Sequence, residues 1–546
     1  MPNPSPDVVS PVQEPAAEGY ASDFHRWRWI GLAGSVLVAV GGLGAGALPK
    51  PDPWTDVPVL RVLRHGAGPG ACIGLAAVGM LLLVVSWWRL RPGASSAPSP
   101  GWVTRTALWW GAPLALAPPL FSRDLYIYAG QGLVLARGLD PYQVGPAAIT
   151  GGPGADWITS LSPTWSHTPA PYGPLFLLVS GRIADAADGR LMVAVGLLRV
   201  AAVLGVIALA LLMPRLATAY GGDPARAQWL VAANPFLLAH LVGGGHNEAL
   251  MLPLLAAALL VAAPRSLGEP AETGGARRPA RVVVSGAAAG ALAGLAAAVK
   301  ISAVVALPFI ALLIAASLPA VSGWWPRWLR LGRASVVVVG AAGVAFALVS
   351  AVAGLGPGFV HALQVTGGIS IQWTSIPTGW GLAGGWVADW MGHPAAKESV
   401  LGAARSIGAL LTGVALVVLW WRVREAPTSN DPEPISRYAA TLLAACGVAL
   451  LVVVVLGQAV HPWYLLWGLV PLAAVARPEP DARLGTGLAV VCAVLCFLVL
   501  PDGYNLARST VVPGALFDLS LTILAGWYGL RWLQGRRERQ RSTRTR

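Results

Sequence analysis

In "FSRDLYIYAGQGLVLARGLDPY", residues 121–142, Arg123 and Asp124 stand where a long apolar run ends. A helix starting near Leu125 puts Asp124, Tyr128 and Gln131 on one face at i, i+4 and i+7. Leu125, Ala129 and Leu133 fall on the other face. Gly138 and the Asp140-Pro141 step stop the helix. The pattern predicts an amphipathic helix in a membrane interface with a carboxylate at its leading end, where a charge costs little if solvated. The same residues also suit an N-cap, with Ser122 or Asp124 satisfying free backbone N–H groups.

Other polar residues interrupt apolar surroundings. In "ANPFLLAHLVGGGHNEALMLPLL" (232–254), His246, Asn247 and Glu248 follow three glycines. They suit a sugar hydroxyl or a phosphate, or equally a cap for the next helix. Lys300 breaks an almost uncharged run from 282 to 318, so it either snorkels to the surface or pairs with an anion, a lipid phosphate or an Asp/Glu. "SHTPAPYGPL" (166–175) sets three prolines around His167 and Tyr172, as a binding loop or a rigid lid. "QAVHPWYLLWG" (458–468) brings His461, Trp463 and Tyr464 together, as an aromatic belt or as rings that stack on sugars. Asp124, His246, Glu248 and His461 have the chemistry of metal ligands, but nothing in their spacing argues for a metal site, and no metal or soluble cofactor is expected.

The elements that must position these residues are membrane spans. The 546 residues are 55% hydrophobic and 12% charged, about half the charge of a soluble domain. Mean hydropathy is +0.62. Spans are expected at 29–48, 70–89, 104–121, 191–213, 227–243, 247–264, 282–300, 301–318, 335–354, 401–421, 437–457, 462–477, 485–501 and 515–533. The fold class is therefore an all-α polytopic membrane protein with about fourteen transmembrane helices, and segment 173–187 is an interfacial or re-entrant piece. Residues 1–28 read as a disordered cytoplasmic N-terminus that leads into a retained anchor, residues 29–533 as the membrane domain, and 534–546 as a basic cytoplasmic tail.

The net charge of +13 is almost all arginine. The arginines cluster in short loops, at Arg89, Arg91 and Arg105, at Arg277, Arg278 and Arg281, at Arg327, Arg330 and Arg333, and at Arg422 and Arg424. That placement fits the positive-inside rule and argues against a nucleic-acid partner. With those loops and both termini inside, loops 122–172 and 355–400, the His246 block, Lys300, His461 and "DGYN" (502–505) share the outer face. Loop 49–69, with Arg61 and Arg64, is the one exception to the charge rule. Cys72, Cys446, Cys492 and Cys496 lie in apolar runs and read as buried free thiols.

The blocks "FSRDLYIYAGQGLVLARGLDPYQVGP", "HTPAPYGPLFLLVS", "ANPFLLAHLVGGGHNEAL", "AAAVKISAVVALPFI" and "QAVHPWYLLWGLVPLAA" resemble, in order, those of the actinobacterial polyprenol-phosphate-mannose-dependent alpha-(1→6)-mannopyranosyltransferases. The likeness is to the B-type enzyme, over roughly residues 30–530. It implies the GT-C class of membrane glycosyltransferases, with Asp124 as the essential acid early in an outer loop. It implies a polyprenyl-phosphate mannose donor, a lipid-anchored α-1,6-mannan acceptor and an inverting transfer with Asp124 as general base. Arg123 and Lys300 would steady the leaving phosphate. Tyr128, His167, Tyr172, His246, Asn247, Glu248, His461 and Trp463 complete the expected substrate-binding set. Arg123 stands where some members carry a second acid, and Glu248 where many carry Asp. The rival readings are a lipid-linked glycan ligase or polymerase and a glycolipid transporter or flippase; a transporter predicts repeated halves and mid-span acids, which this chain does not display.

Overall fold

The structure is a computed structural model that describes residues 15–93, 98–264, 279–319, 321–369, 371–425, 432–477 and 483–544. Residues 1–14, Arg277, Arg278 and the last two residues lie outside the described residues. Among the described residues the fold is helical, with one isolated β-bridge between Val499 and Asn505. Sixteen helices carry the argument: α1 Pro15–Ala45, α2 Gly68–Arg89, α3 Pro100–Leu116, α4 Asp124–Ala136, α5 Pro174–Ala187, α6 Leu191–Ala219, α7 Glu248–Ala262, α8 Pro279–Val299, α9 Leu307–Ala316, α10 Trp324–Ala353, α11 Ile376–Trp390, α12 Lys397–Val423, α13 Pro432–Leu456, α14 Leu466–Ala474, α15 Arg483–Leu495 and α16 Val511–Arg544.

Eight helices among the described residues are long and apolar enough to cross a bilayer, in α1, α2, α6, α8, α10, α12, α13 and α16. The expected count of about fourteen is not reached on that criterion, and at three of the expected spans proline interrupts the helix. The span expected at 104–121 ends at Leu116, ahead of Pro118 and Pro119. The one expected at 227–243 breaks at Asn234-Pro235 and finishes as a single π turn, Leu238–Gly243. The span expected at 462–477 starts as a 3₁₀ turn at Pro462, and its helix carries Pro471. The ends of the described residues are helical as well. Helix α1 already begins at Pro15, so the segment expected to be disordered is helical from there, and α16 continues to Arg544 through the basic tail.

Small residues let the long helices approach closely, the usual device where lipid gives no hydrophobic drive between helices. A Cβ on Gly34 of α1 would lie 2.6 Å from the Gly79 carbonyl oxygen of α2, and one on Gly290 of α8 would lie 2.2 Å from that of Val338 in α10. Where proline breaks the chain, buried carbonyls need donors. Arg199 of α6 supplies them, with Nη1 on Ala115 O at 3.2 Å and Nη2 on Gly243 O at 2.9 Å.

Helix α4 is covered by protein. Every residue from Leu125 to Val134 is buried, and α5 and α6 pack against it. Its polar face, with Asp124, Tyr128 and Gln131, lines a cavity inside the protein. Helix α5 packs on α4, α6, α8 and α10 with one face buried and Arg182 and Asp185 exposed. Its 14 residues span about 21 Å at 1.5 Å per residue, too short for a bilayer core of about 30 Å.

Candidate active site

The turn into α4 is held from both ends of the sequence. Phe121 sits at φ +59°, an uncommon conformation for a side chain of its size, and its N–H bonds Pro501 O at 2.8 Å. Gly503, at φ +91°, backs onto Ser122, where a Cβ would lie 3.0 Å from the Ser122 Cα. Ser122 Oγ accepts from the Asp124 N–H at 3.0 Å. Capping therefore falls to Ser122, and the Asp124 side chain is released for other contacts.

Those contacts are specific. Asp124 Oδ2 accepts from Tyr128 OH at 3.2 Å and faces His246 Nδ1 at 3.1 Å. Among the described residues no protein donor reaches Oδ1, and a quarter of the side chain, 25%, stays open. Burial pushes the Asp124 carboxyl up, but the His246 hydrogen bond and the charges of His246 and His461 outweigh it and hold the group well below the usual carboxylate range. The carboxylate fixes the His246 proton on Nδ1.

The His246 ring stacks on Trp463 at 3.8 Å and 18°, and His461 stacks on the same indole at 4.7 Å and 14°. Trp463 thus holds two histidines in place and also lines one of the cavities described below. Burial lowers the His461 imidazole to about 4.

Lys300 follows α8 in extended backbone, at φ −148° and ψ 120°. Its Nζ donates to Glu248 Oε1, which also faces Trp467 Nε1 at 3.4 Å. The ammonium lies 3.9 Å from the Tyr464 ring centroid and 5.2 Å from that of Trp467. Of the two partners expected for Lys300, the acidic side chain is present. Glu248 turns to Lys300 and not to Asp124, and among the described residues no three His, Cys, Asp or Glu side chains converge as metal ligands.

Asp124 borders two cavities. One, of about 320 Å³, runs from Asp124, Tyr128, Tyr172 and Lys300 to the apolar walls of Leu363 and Val454. The other, of about 270 Å³, is lined by Lys50, Gln372, Asp502, Asn505 and Arg508. Asp124, Ile127, Trp165 and His461 belong to both.

Sequence expectations divide on this geometry. Asp124, Tyr128, Tyr172, His246, Glu248, Lys300 and His461 come together as expected. Asn247 is close, with its N–H 3.4 Å from Tyr128 OH and its buried side-chain amide unpartnered among the described residues. Two residues are placed apart from that group. Arg123 lines the polar cavity beside Asp124, but its Nη1 donates to the carbonyls of Leu48 and Ser160, at 3.0 and 3.3 Å, and so braces the loops under Asp124. His167 is exposed and lines neither cavity. Trp467, Gln372 and Asn505 were missed. Trp467 was legible as the residue one helical turn beyond Tyr464. Gln372 and Asn505, bonded to each other at 3.2 Å, carry no local signal.

Residues 28–316 match the family model "Alpha-(1->6)-mannopyranosyltransferase, N-terminal domain", and residues 377–527 match "MptB C-terminal domain". Alpha-(1->6)-mannopyranosyltransferase A of Mycobacterium tuberculosis is 32% identical over 87% of this chain and 84% of its own length. Alpha-(1->6)-mannopyranosyltransferase B of Corynebacterium glutamicum is 29% identical over 93% of this chain and 83% of its own. No solved structure matches the chain. With a family model covering more than half its length and relatives aligned along most of it, the chain belongs to the alpha-(1→6)-mannopyranosyltransferase family and is a glycosyltransferase.

Proposed function

We propose that the chain moves mannose from a polyprenyl-phosphate donor to a lipid-anchored α-1,6-mannan at the outer face of the plasma membrane, with inversion at the anomeric carbon. The observation that carries this reading is the position of Asp124 at the junction of two cavities with different walls. The apolar cavity suits a polyprenyl chain whose phosphate lies beside Lys300. The polar cavity, with its amides and carboxylate, suits sugar hydroxyls.

The acceptor hydroxyl enters from the polar side and meets Asp124 Oδ1. Its oxygen attacks the anomeric carbon from the face opposite the phosphate. As that C–O bond forms, the bond from the anomeric carbon to the phosphate oxygen breaks, and the electron pair leaves with polyprenyl phosphate. The hydroxyl proton passes to Asp124. His246 and Tyr128 fix the carboxylate through Oδ2. Lys300 has three N–H donors; one is held by Glu248, and the others remain for the leaving phosphate. Arg123 takes no part in that step.

Membranes carrying wild type or Asp124→Asn, given radiolabelled polyprenyl-phosphate mannose and an α-1,6-mannoside, test the reading. Loss of a general base lowers the rate by about 10²–10⁴-fold. Unchanged transfer by the variant removes Asp124 from the chemistry. No transfer by wild type rejects this donor and acceptor and favours the ligase or transporter reading. A cysteine placed at exposed His167 should react with an impermeant maleimide in intact cells; reaction only after lysis would move the site to the other face.

A further inference from the structure

At the far end of the same helices lies a second polar site. A cavity of about 330 Å³ sits between the start of α10, the end of α12 and the start of α13, lined by Trp324, Arg327, Trp328, Arg330, Arg424 and Tyr438. Its volume is at the lower end of the usual range for small-molecule sites. Helix α13 reaches both regions, with Tyr438 here and Val454 at the Asp124 cavity. Sixteen residues apart, the two positions are separated by about 24 Å along the helix axis.

The charge in this cavity is one-sided. Three guanidinium groups face one carboxylate, Glu425, which is 70% exposed and 3.3 Å from Arg424. Arg330 gives Nη1 to Pro319 O at 3.2 Å, while its Nε is buried and without a partner among the described residues. The Arg424 guanidinium lies 3.6 Å from the Trp421 ring centroid. No side chain caps the N-terminus of α10, whose first residue, Trp324, lines the cavity. Oriented N–H groups at the start of a long helix favour an anion. Exposed Trp324, Trp325 and Trp421 surround the site, as indole rings do at the level of lipid headgroups.

We propose that this cavity binds a phosphate-bearing anion, delivered as the headgroup of an anionic amphiphile at the membrane face opposite Asp124. The guanidinium fork matches phosphate oxygens, and basic pockets between membrane helices recognise such headgroups. The same chemistry would also receive a free phosphate, so the source is part of the test. The site does not depend on the donor and acceptor assigned above.

The full chain in neutral detergent is titrated calorimetrically with short-chain phosphatidylglycerol, with phosphatidylcholine of equal tail length, and with inorganic phosphate. Phosphatidylglycerol should saturate one site at least tenfold more tightly than phosphatidylcholine. Arg330→Gln/Arg424→Gln should weaken it at least tenfold, and Arg333→Gln, exposed on the same helix, should stay within twofold. Arg424→Gln alone, with wild-type thermal unfolding, serves if the double variant is unstable. Arginine-dependent saturation by inorganic phosphate alone supports the anion site and makes its source soluble. Equal binding of the two lipids, or variants that bind like wild type, overturns the proposal. Mannosyl transfer should persist in these variants, which keeps the outcome separate from that at Asp124.

Discussion

Lys300→Met is the most informative single change. Glu248 is fully buried and the Lys300 side chain is 12% exposed. Burial alone pushes the Lys300 ammonium down, but the Glu248 charge, Tyr464 and the hydrogen bond to Glu248 outweigh it and hold it above its ordinary range. The Lys300 ammonium therefore keeps its charge beside the Glu248 side chain. Methionine retains the length of the side chain and removes the charge, leaving Glu248 with the distant Trp467 indole and an unpartnered Oε2. Breaking such a pair costs about 3–5 kcal/mol. Protonation sets a ceiling: giving an ordinary glutamate a proton at pH 7 costs about 3.7 kcal/mol, from 2.7 pH units at 1.36 kcal/mol each. The expected loss at pH 7 is thus about 3–4 kcal/mol. At pH 5 the ceiling drops to about 1 kcal/mol. The sign follows from linkage: above pH 4.3 the folded variant holds a proton that the unfolded chain has released, so its stability falls as pH rises. Denaturant unfolding of the purified protein at pH 5, 6 and 7 measures this. Glu248→Gln/Lys300→Met should recover to within about 1.5 kcal/mol of wild type, since a neutral pair needs no counter-charge. A Lys300→Met midpoint that ignores pH, or a double variant no better than the single, would refute the reasoning.

The membrane class and most helix positions were legible because a bilayer imposes long apolar runs that composition alone reveals. Several expected spans come out shorter, three of them where proline interrupts the helix, at Pro118-Pro119, at Asn234-Pro235 and at Pro462. Hydropathy averages over a window and does not see a missing N–H. The candidate pocket was half legible for a different reason. Asp124, Tyr128 and Gln131 share a helix face, so their meeting follows from local spacing. The His246–Asp124 and Lys300–Glu248 contacts join residues 122 and 52 positions apart, and no periodicity predicts them.

Two arginines mark the limit. Arg123 stood beside the key acid and was given a phosphate, yet its guanidinium binds backbone carbonyls. Arg199 was passed over inside an apolar run, although its isolation was as clear a signal as that of Lys300. Both satisfy carbonyls left open where helices stop, a demand set by tertiary structure and not by neighbours in sequence. The "DGYN" stretch behaves similarly. It reads as an outer loop, and in the fold Pro501 and Gly503 brace the turn before Asp124.

Further changes separate chemistry from support. His246→Ala removes a hydrogen bond to a charged group, so transfer should fall about 10- to 150-fold; an unaltered rate would mean that Asp124 orients itself. His461 is neutral in the fold down to about pH 4, whereas the unfolded chain takes its proton near 6.5, so stability falls on acidification through that window. It amounts to about 2 kcal/mol between pH 6.5 and pH 5, and His461→Gln should be less acid-sensitive by that amount in the same unfolding assay. Gly290→Ala, against the Val338 carbonyl, should destabilise by about 1–3 kcal/mol, while Gly343→Ala, with open space around it, should be neutral or gain about 0.5–1 kcal/mol. Arg123→Gln gives the sharpest division between a brace and a phosphate ligand. As a brace, its loss leaves the carbonyls of Leu48 and Ser160 without their donor, lowering stability by about 1–3 kcal/mol and transfer only as far as the turn loosens. A hundredfold fall in transfer with unchanged unfolding would instead restore Arg123 to the leaving group.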